Sequence, residues 1–227
     1  SGTAANGSPL IGLNGADNVI IDGIRAGGDS LTISNLSTSA SSGTSTIRFI
    51  NGASGNNIAR CRVLGSTVVS LGLSGAVIFF DQINAGNSNN TIENCDVGAA
   101  GLNLPTVLIY SIGSSAHTGN IITGCRLYDF FSATKSSAGI FLESATGWSI
   151  LNNMLYQTAV RTFTSAGFTH NGIAVSGGSG VQISNNTIGF SSPNGTGTYS
   201  LVGLSSSKWI PVDINSGTSG APTEIQG

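Results

Sequence analysis

The chain has 227 residues, enough to bury a sizeable core as one domain or one elongated array. Only 8% of residues are charged and the formal net charge is -2, against a usual charged share of about 25%, which excludes the field that nucleic acid or an anionic membrane surface requires. A hydrophobic share of 39% with regular recurrence excludes disorder, and 33 glycines among abundant Ser, Thr and Asn fit an extracellular β-protein better than a cytosolic enzyme.

The opening SGTAANG has no basic region ahead of an apolar run, so no signal peptide is read there. No stretch approaches the length of a membrane-spanning helix. The expectation is a mature product or a module cut from a longer chain.

Residues 10–24, LIGLNGADNVIIDGI, hold two short apolar runs split by a turn rich in Gly and Asn. The second run, 19–22, is read as opening a series. It continues as TIRFI (46–50), VIFFD (77–81), VLIYS (107–111), GIFLE (139–143), GIAVS (172–176) and, loosely, 201–204. Steps from Val19 through Ile47, Ile78, Leu108, Ile140 and Ile173 are 28, 31, 30, 32 and 33 residues. A second motif alternates with it: LTISNL (31–36), NIARCRV (57–63), NTIENCDV (90–97), NIITGCRL (120–127), SILNNML (149–155) and VQISNNTI (181–188). Its isoleucines, Ile33, Ile58, Ile92, Ile122, Ile150 and Ile183, are spaced 25, 34, 30, 28 and 33 residues apart, so one unit recurs about every thirty residues.

Helix is excluded by the period-two alternation, the β-branched residues and the Gly, Asn and Ser that interrupt every ten or so positions. Two motifs in strict rotation predict a parallel solenoid, each coil laying its strand on the equivalent strand of the coil before, about 4.8 Å away. Six to seven coils are expected over residues 9–204, with an irregular segment at 205–227 that contains a short WIPVDI run, all as a single domain. Equivalent side chains then stack in columns. Ile92, Cys95 and Val97 point inward, and Cys61, Cys95 and Cys125 form an interior ladder continued by Asn153 and Asn186. The column before it (Asn35, Arg60, Asn94, Gly124, Asn152, Asn185) suits a bend with left-handed backbone.

The I-x-N-N/C-x-I/V spacing, the Asn ladder and the variable coil length resemble the right-handed parallel β-helices of the pectate-lyase-like superfamily. Within it, PLIGLNGADNVIIDG and LTISN resemble β-helix modules of large secreted bacterial surface proteins. The resemblance covers about residues 9–204 and implies a right-handed β-helix at a cell surface. It leaves function open, since that superfamily holds lyases, hydrolases, tailspikes, adhesins and stalks. The resemblance also implies what a lyase or polygalacturonase here would carry: a calcium-binding acidic cluster with a basic residue, or N-T-D, D-D, G-H-G and R-I-K motifs. This chain has none of them, and its histidines sit in A-H-T (His117) and T-H-N (His170).

Several columns are candidate sites. The three thiols lack the paired spacing of a zinc site and their parallel side chains suit a disulfide badly, so they are read as small buried hydrophobes. No metal or other cofactor is expected. Arg62, Asp96 and Arg126 form an outward column read as a salt-bridge ladder. Asp22, Asp81 and Glu143 fall at one position of the first motif, beside an outward apolar strip of Phe79, Ile109 and Phe141. Asp81 and Glu143, two coils and so about 9.6 Å apart, are near the carboxyl separation of an inverting glycosidase. The loops after Leu127 and Leu155 bring Asp129, Lys135, Arg161 and His170, conceivable acids or bases. Tyr128 and Tyr156 are expected to stack outside, a surface suited to sugar faces.

The reading is a non-catalytic structural or adhesive module, secreted or at a bacterial cell surface, with a glycan as possible ligand and adjacent domains as partners. The alternatives are a polysaccharide lyase or hydrolase acting through Asp81 and Glu143, and a subunit that assembles end to end through its uncapped edges.

Overall fold

The computed structural model describes residues 1–23, 31–113, 117–217 and 220–227, and these form a parallel β-solenoid with three faces. The first face stacks Pro9–Asn14, Ser45–Ile50, Ala76–Phe80, Val107–Ser111, Ser137–Thr146, Thr169–Ser179 and Lys208–Asn215. The second stacks Ile20–Asp22, Asn57–Ala59, Thr91–Glu93, Ile121–Thr123, Ser149–Leu151, Gln182–Ser184 and Glu224–Gln226. The third stacks Thr32–Asn35, Arg62–Gly65, Asp96–Ala99, Arg126–Tyr128, Met154–Tyr156 and Thr187–Phe190. Among the described residues this amounts to six complete coils and two sides of a seventh. A small lateral pair, Arg161–Thr162 with Leu201–Val202, joins two loops.

Each face contributes an inward aliphatic column. Ile47, Ile78, Ile109, Ile140 and Ile173 stack on the first face, Ile58, Ile92, Ile122, Ile150 and Ile183 on the second, and Val63, Val97, Leu127 and Leu155 on the third. All lie in one continuous core. Full burial of a side chain of this size is worth about 1.5–3 kcal/mol, so repetition of the column, not any one contact, carries the stability. Aromatic rings fill the wider corner: Phe49 stacks on Phe80 at 4.4 Å, and Trp148 meets Phe80 edge-on at 4.9 Å.

The corners explain the polar repeats. Between the second and third faces Arg60, Asn94, Asn152 and Asn185 take φ of 54°, 52°, 56° and 55°, with Gly124 at 62°, the left-handed geometry expected there. The next residue points inward: Cys61, Cys95, Cys125 and Asn153 are buried and the cysteines are free thiols. Asn153 Oδ1 accepts the Cys125 N–H at 2.9 Å, and Asn186 Oδ1 accepts the Asn153 N–H at 2.9 Å. A second ladder guards the corner entering the second face. Asn56 accepts from Val19 N–H, Asn90 from Asn56 N–H and Asn120 from Asn90 N–H, at 2.8, 3.0 and 2.8 Å.

Four sequence readings are corrected. The run 19–22 belongs to the second face, where Ile21 pairs with Ile58, and the first face opens instead at Pro9–Asn14, with Ile11 on Ile47. LTISN belongs to the third face, with Ile33 on Val63, so Asn35 is a strand residue and not a corner. Ile109, not Leu108, is the partner of Ile78. The first face admits two successive inward residues, Val77 with Ile78 and Leu108 with Ile109, and that double apolar step hid the register. Finally, 205–227 is not irregular: Lys208–Asn215 and Glu224–Gln226 continue both faces in register, Val212 on Ile173 and Ile225 on Ile183. Ile24, at the end of the opening run, lies outside the described residues.

Candidate functional site: the outer side of the first face

The outward residues of the first face form a column of Arg48, Phe79, Tyr110, Phe141, Ala174 and Asp213. Phe79 and Tyr110 are 5.6 Å apart between ring centroids, and Tyr110 and Phe141 5.2 Å at an interplanar angle of 11°. Tyr110 therefore takes the place expected for Ile109, which faces the core. Most of the strip is covered. Phe79 and Tyr110 are buried in a satellite cluster with Val107, packed by Leu71 and Ile112.

The stack ends where Ala174 replaces a ring, and the missing side chain opens a groove of about 350 Å3. Phe141 forms one end and Ala174 the floor; Asn171, Ser176, Asp213 and Asn215 supply polar groups, with Ser136 and Thr169 at the edge and Leu71 as a wall. Leu71 belongs to the loop 66–75, which Lys135 holds by donating from Nζ to the Val68 carbonyl at 3.1 Å. Lys135 is thus engaged as a loop clamp. Asn171 is 5% exposed and its Oδ1 accepts no hydrogen bond.

The acidic column is rearranged. Asp22 lies on the second face, paired with Arg60. Asp81 is 5% exposed, forms an ion pair with Arg48, and has Arg48 over the Phe79 ring at 5.9 Å from the centroid. Glu143 is half-buried, in register with Ser176. Burial first, then the neighbouring Glu143 carboxylate, pushes the Tyr110 hydroxyl well above its usual pKa. Of the two expected catalytic carboxylates, Asp81 is committed to a cation and Glu143 stands one strand from the groove-lining Ser176.

Asp129, Arg161 and His170 converge, as elements of a buried network. Arg161 pairs with Asp129 and donates from Nε to Gln157 Oε1 at 2.8 Å. That turns the Gln157 amide so that its Nε2 donates to the Phe130 carbonyl at 2.8 Å and faces His170 Nε2 at 3.4 Å. His170 Nε2 is then the acceptor, its proton sits on Nδ1, and that N–H donates to Ser137 Oγ at 2.7 Å. A base for Ser137 needs the opposite polarity, and both groups are fully buried. His170 also stacks on Trp209 at 4.9 Å. Burial, then the Arg161 charge, holds its pKa down to about 3.

On the third face Tyr128 and Tyr156 stack outside as expected, 5.3 Å apart at 15°. Burial, then the neighbouring Tyr128, pushes the Tyr156 pKa up to about 12, and at 7% exposure Tyr156 offers little surface. Beside them Arg126 binds Asp96 through two hydrogen bonds of 2.6 and 2.9 Å, and Arg62 stands in register with Asp96 from the coil before. Among the described residues no three His, Cys, Asp or Glu side chains converge as a metal-ligand set.

Sequence reasoning found Phe79, Phe141 and Glu143 on this face but missed Asn171, Ala174, Asp213 and Asn215. Asp213 and Asn215 lie in the segment taken as irregular, and nothing marks an alanine as a gap until the ring stack before it is known. No protein-family model matches the chain, and no curated protein or solved structure matches it either.

Proposed function

We propose that this chain is a non-catalytic β-helix module of a secreted or surface-attached bacterial protein, of the right-handed pectate-lyase-like kind, that holds a glycan in the groove beyond Phe141. One observation carries the reading: the aromatic stack stops at Ala174 and leaves an open trough with the Phe141 ring at one end and amide, hydroxyl and carboxylate groups along it. Sugars bring apolar C–H faces and hydroxyl edges, and aromatic surfaces with a polar rim match both. The non-catalytic part rests on how the candidate acids and bases are used. Asp81 neutralises Arg48, Asp129 neutralises Arg161, Lys135 clamps a loop and His170 is a buried neutral donor.

The test is incubation with a panel of neutral, basic and acidic polysaccharides, following both retention and the release of new reducing or unsaturated ends. Retention without release, weakened tenfold or more in Phe141→Ala, is the expected result. Release of ends that disappears in Glu143→Gln would make the protein a lyase or hydrolase instead.

A second reading, end-to-end assembly, is favoured by where exposed aliphatics lie. Ile20, Leu31 and Leu36 are on the first coil and Val202, Leu204 and Ile225 follow the sixth, with Leu73, Ile83, Leu102 and Val160 exposed between them. Sedimentation showing only monomers over a wide concentration range would remove it.

A further inference from the structure

We infer that the groove beyond Phe141 selects a glycan carrying free amino groups, such as a glucosamine polymer, over uronate polymers; this rests on the glycan-binding reading above. The one charged side chain in the lining of the groove is acidic. Asp213 lines it, Glu143 lies one strand from the lining residue Ser176, and no Lys, Arg or His side chain is among the lining. Of the nearby cations, Arg48 is paired with Asp81, Lys135 donates to the Val68 carbonyl, and Lys208 stands one strand from the lining residue Thr169. None of the ion pairs among the described residues involves Asp213 or Glu143. An ammonium placed here meets the Asp213 carboxylate, with Glu143 one strand beyond the lining, whereas a uronate meets like charge and finds a counter-ion at Lys208 rather than in the lining.

The neutral groups point the same way. Asn171 is nearly buried, lines the groove, and has an Oδ1 without a donor. A buried acceptor left unpaired is destabilising, so its retention is accounted for when a ligand donor completes it. Together with Asp213, it gives the site acceptors that no side chain among the described residues satisfies. A matching ligand donates to them through hydroxyl and ammonium groups, while the Phe141 ring contacts a C–H face.

The experiment compares three oligosaccharides of equal length by calorimetric titration: a glucosamine oligomer, its N-acetylated counterpart and a galacturonate oligomer. The first two share a backbone and differ in the positive charge. The expected order is glucosamine at least tenfold tighter than N-acetylglucosamine at low salt, with galacturonate weakest. The first gap should narrow with added salt. Asp213→Asn, at an exposed position, should close most of that gap with the fold unchanged. Glu224→Gln, on the second face, should leave it open; an equal effect from Glu224→Gln means non-specific attraction of a polycation and overturns the inference. Asn171→Leu should weaken all binding without lowering thermal stability. Tightest binding by galacturonate, or a gap untouched in Asp213→Asn, overturns the inference and leaves the glycan-binding reading standing. Binding of none of the three overturns both.

Discussion

Several buried polar side chains among the described residues have a defined structural task, and their physical state follows from their partners. Arg48 and Asp81 illustrate this most directly. Both are nearly buried, so Asp81→Asn strands a guanidinium beneath the surface. Removing one partner of a buried pair costs about 3–5 kcal/mol, and the denaturant midpoint of this variant should fall accordingly. The same variant would lose any turnover through instability alone, so Glu143→Gln is the cleaner probe of chemistry. The imidazoles behave similarly. His117 accepts the Asn87 N–H on Nδ1 at 2.9 Å and donates from Nε2 to the Ile112 carbonyl at 2.9 Å, and burial lowers its pKa. For a histidine held neutral in the fold, the unfolded chain takes up the proton first. Stability should therefore fall as pH drops below about 6.5, and for His170 the loss continues down to about 3. His117→Asn, which keeps a side-chain acceptor for the Asn87 N–H, should make the fall in urea midpoint between pH 7 and pH 4 shallower. An unchanged slope would remove His117 from the account.

At the scale of the element, the coil is held by ladders at its corners as much as by its strands. Asn90 Oδ1 accepts both the backbone N–H and the side-chain Nδ2 of Asn56, at 3.0 and 2.8 Å, and passes the pattern on to Asn120. Asn90→Ala leaves two buried donors unpaired, each worth about 1–3 kcal/mol, and a large drop in thermal midpoint is expected. The thiol ladder differs in kind. Hydrogen bonding to Cys125 first, then burial, raises the Cys95 thiol to about 12, and the thiolate is the reactive form. Titration with a thiol reagent should find almost no reaction in the native protein and three equivalents after unfolding. Three Cys and then two Asn share one column because both residue types are small and able to bond along the axis. The motif N-C was therefore legible as a corner before any coordinates. The outward stack was less so, because a slip of one residue exchanges the two sides of a strand. Leu108 and Ile109 are equally apolar, and only the pairing of Ile109 with Ile78 decides that Tyr110 faces out.

For the whole molecule, parallel stacking leaves open edges at each end of the described coils. Residues near the start cover part of one: Gly2 bridges to Asn35, and Ala4 N–H donates to Asn35 Oδ1 at 3.0 Å. Ile20 remains 71% exposed there, and Ile225 60% exposed at the other end. Pro211, which lacks an N–H, and the charges of Lys208, Asp213 and Glu224 blunt that second edge. Assembly should accordingly be weak, reversible and concentration-dependent. Ile225→Lys should shift sedimentation toward monomer, and no shift would show that this edge is not the contact.

The amino-acid sequence by itself determined the solenoid, because stacking identical positions one coil apart requires a periodic pattern, and Ile58, Ile92, Ile122, Ile150 and Ile183 carry it without ambiguity. It determined most of the bends as well, since left-handed corners favour Asn and Gly, with Arg60 the exception in the column between the second and third faces. Only the tertiary structure decided which runs share a face, that the last coil is regular, and that Asp81 is matched to Arg48. The groove itself was invisible in the chain. It arises from one alanine, in the sixth coil, beyond a stack of three rings, and from the loop 66–75 that joins the second and third coils. Both are relations between residues far apart in sequence, and no local pattern records them.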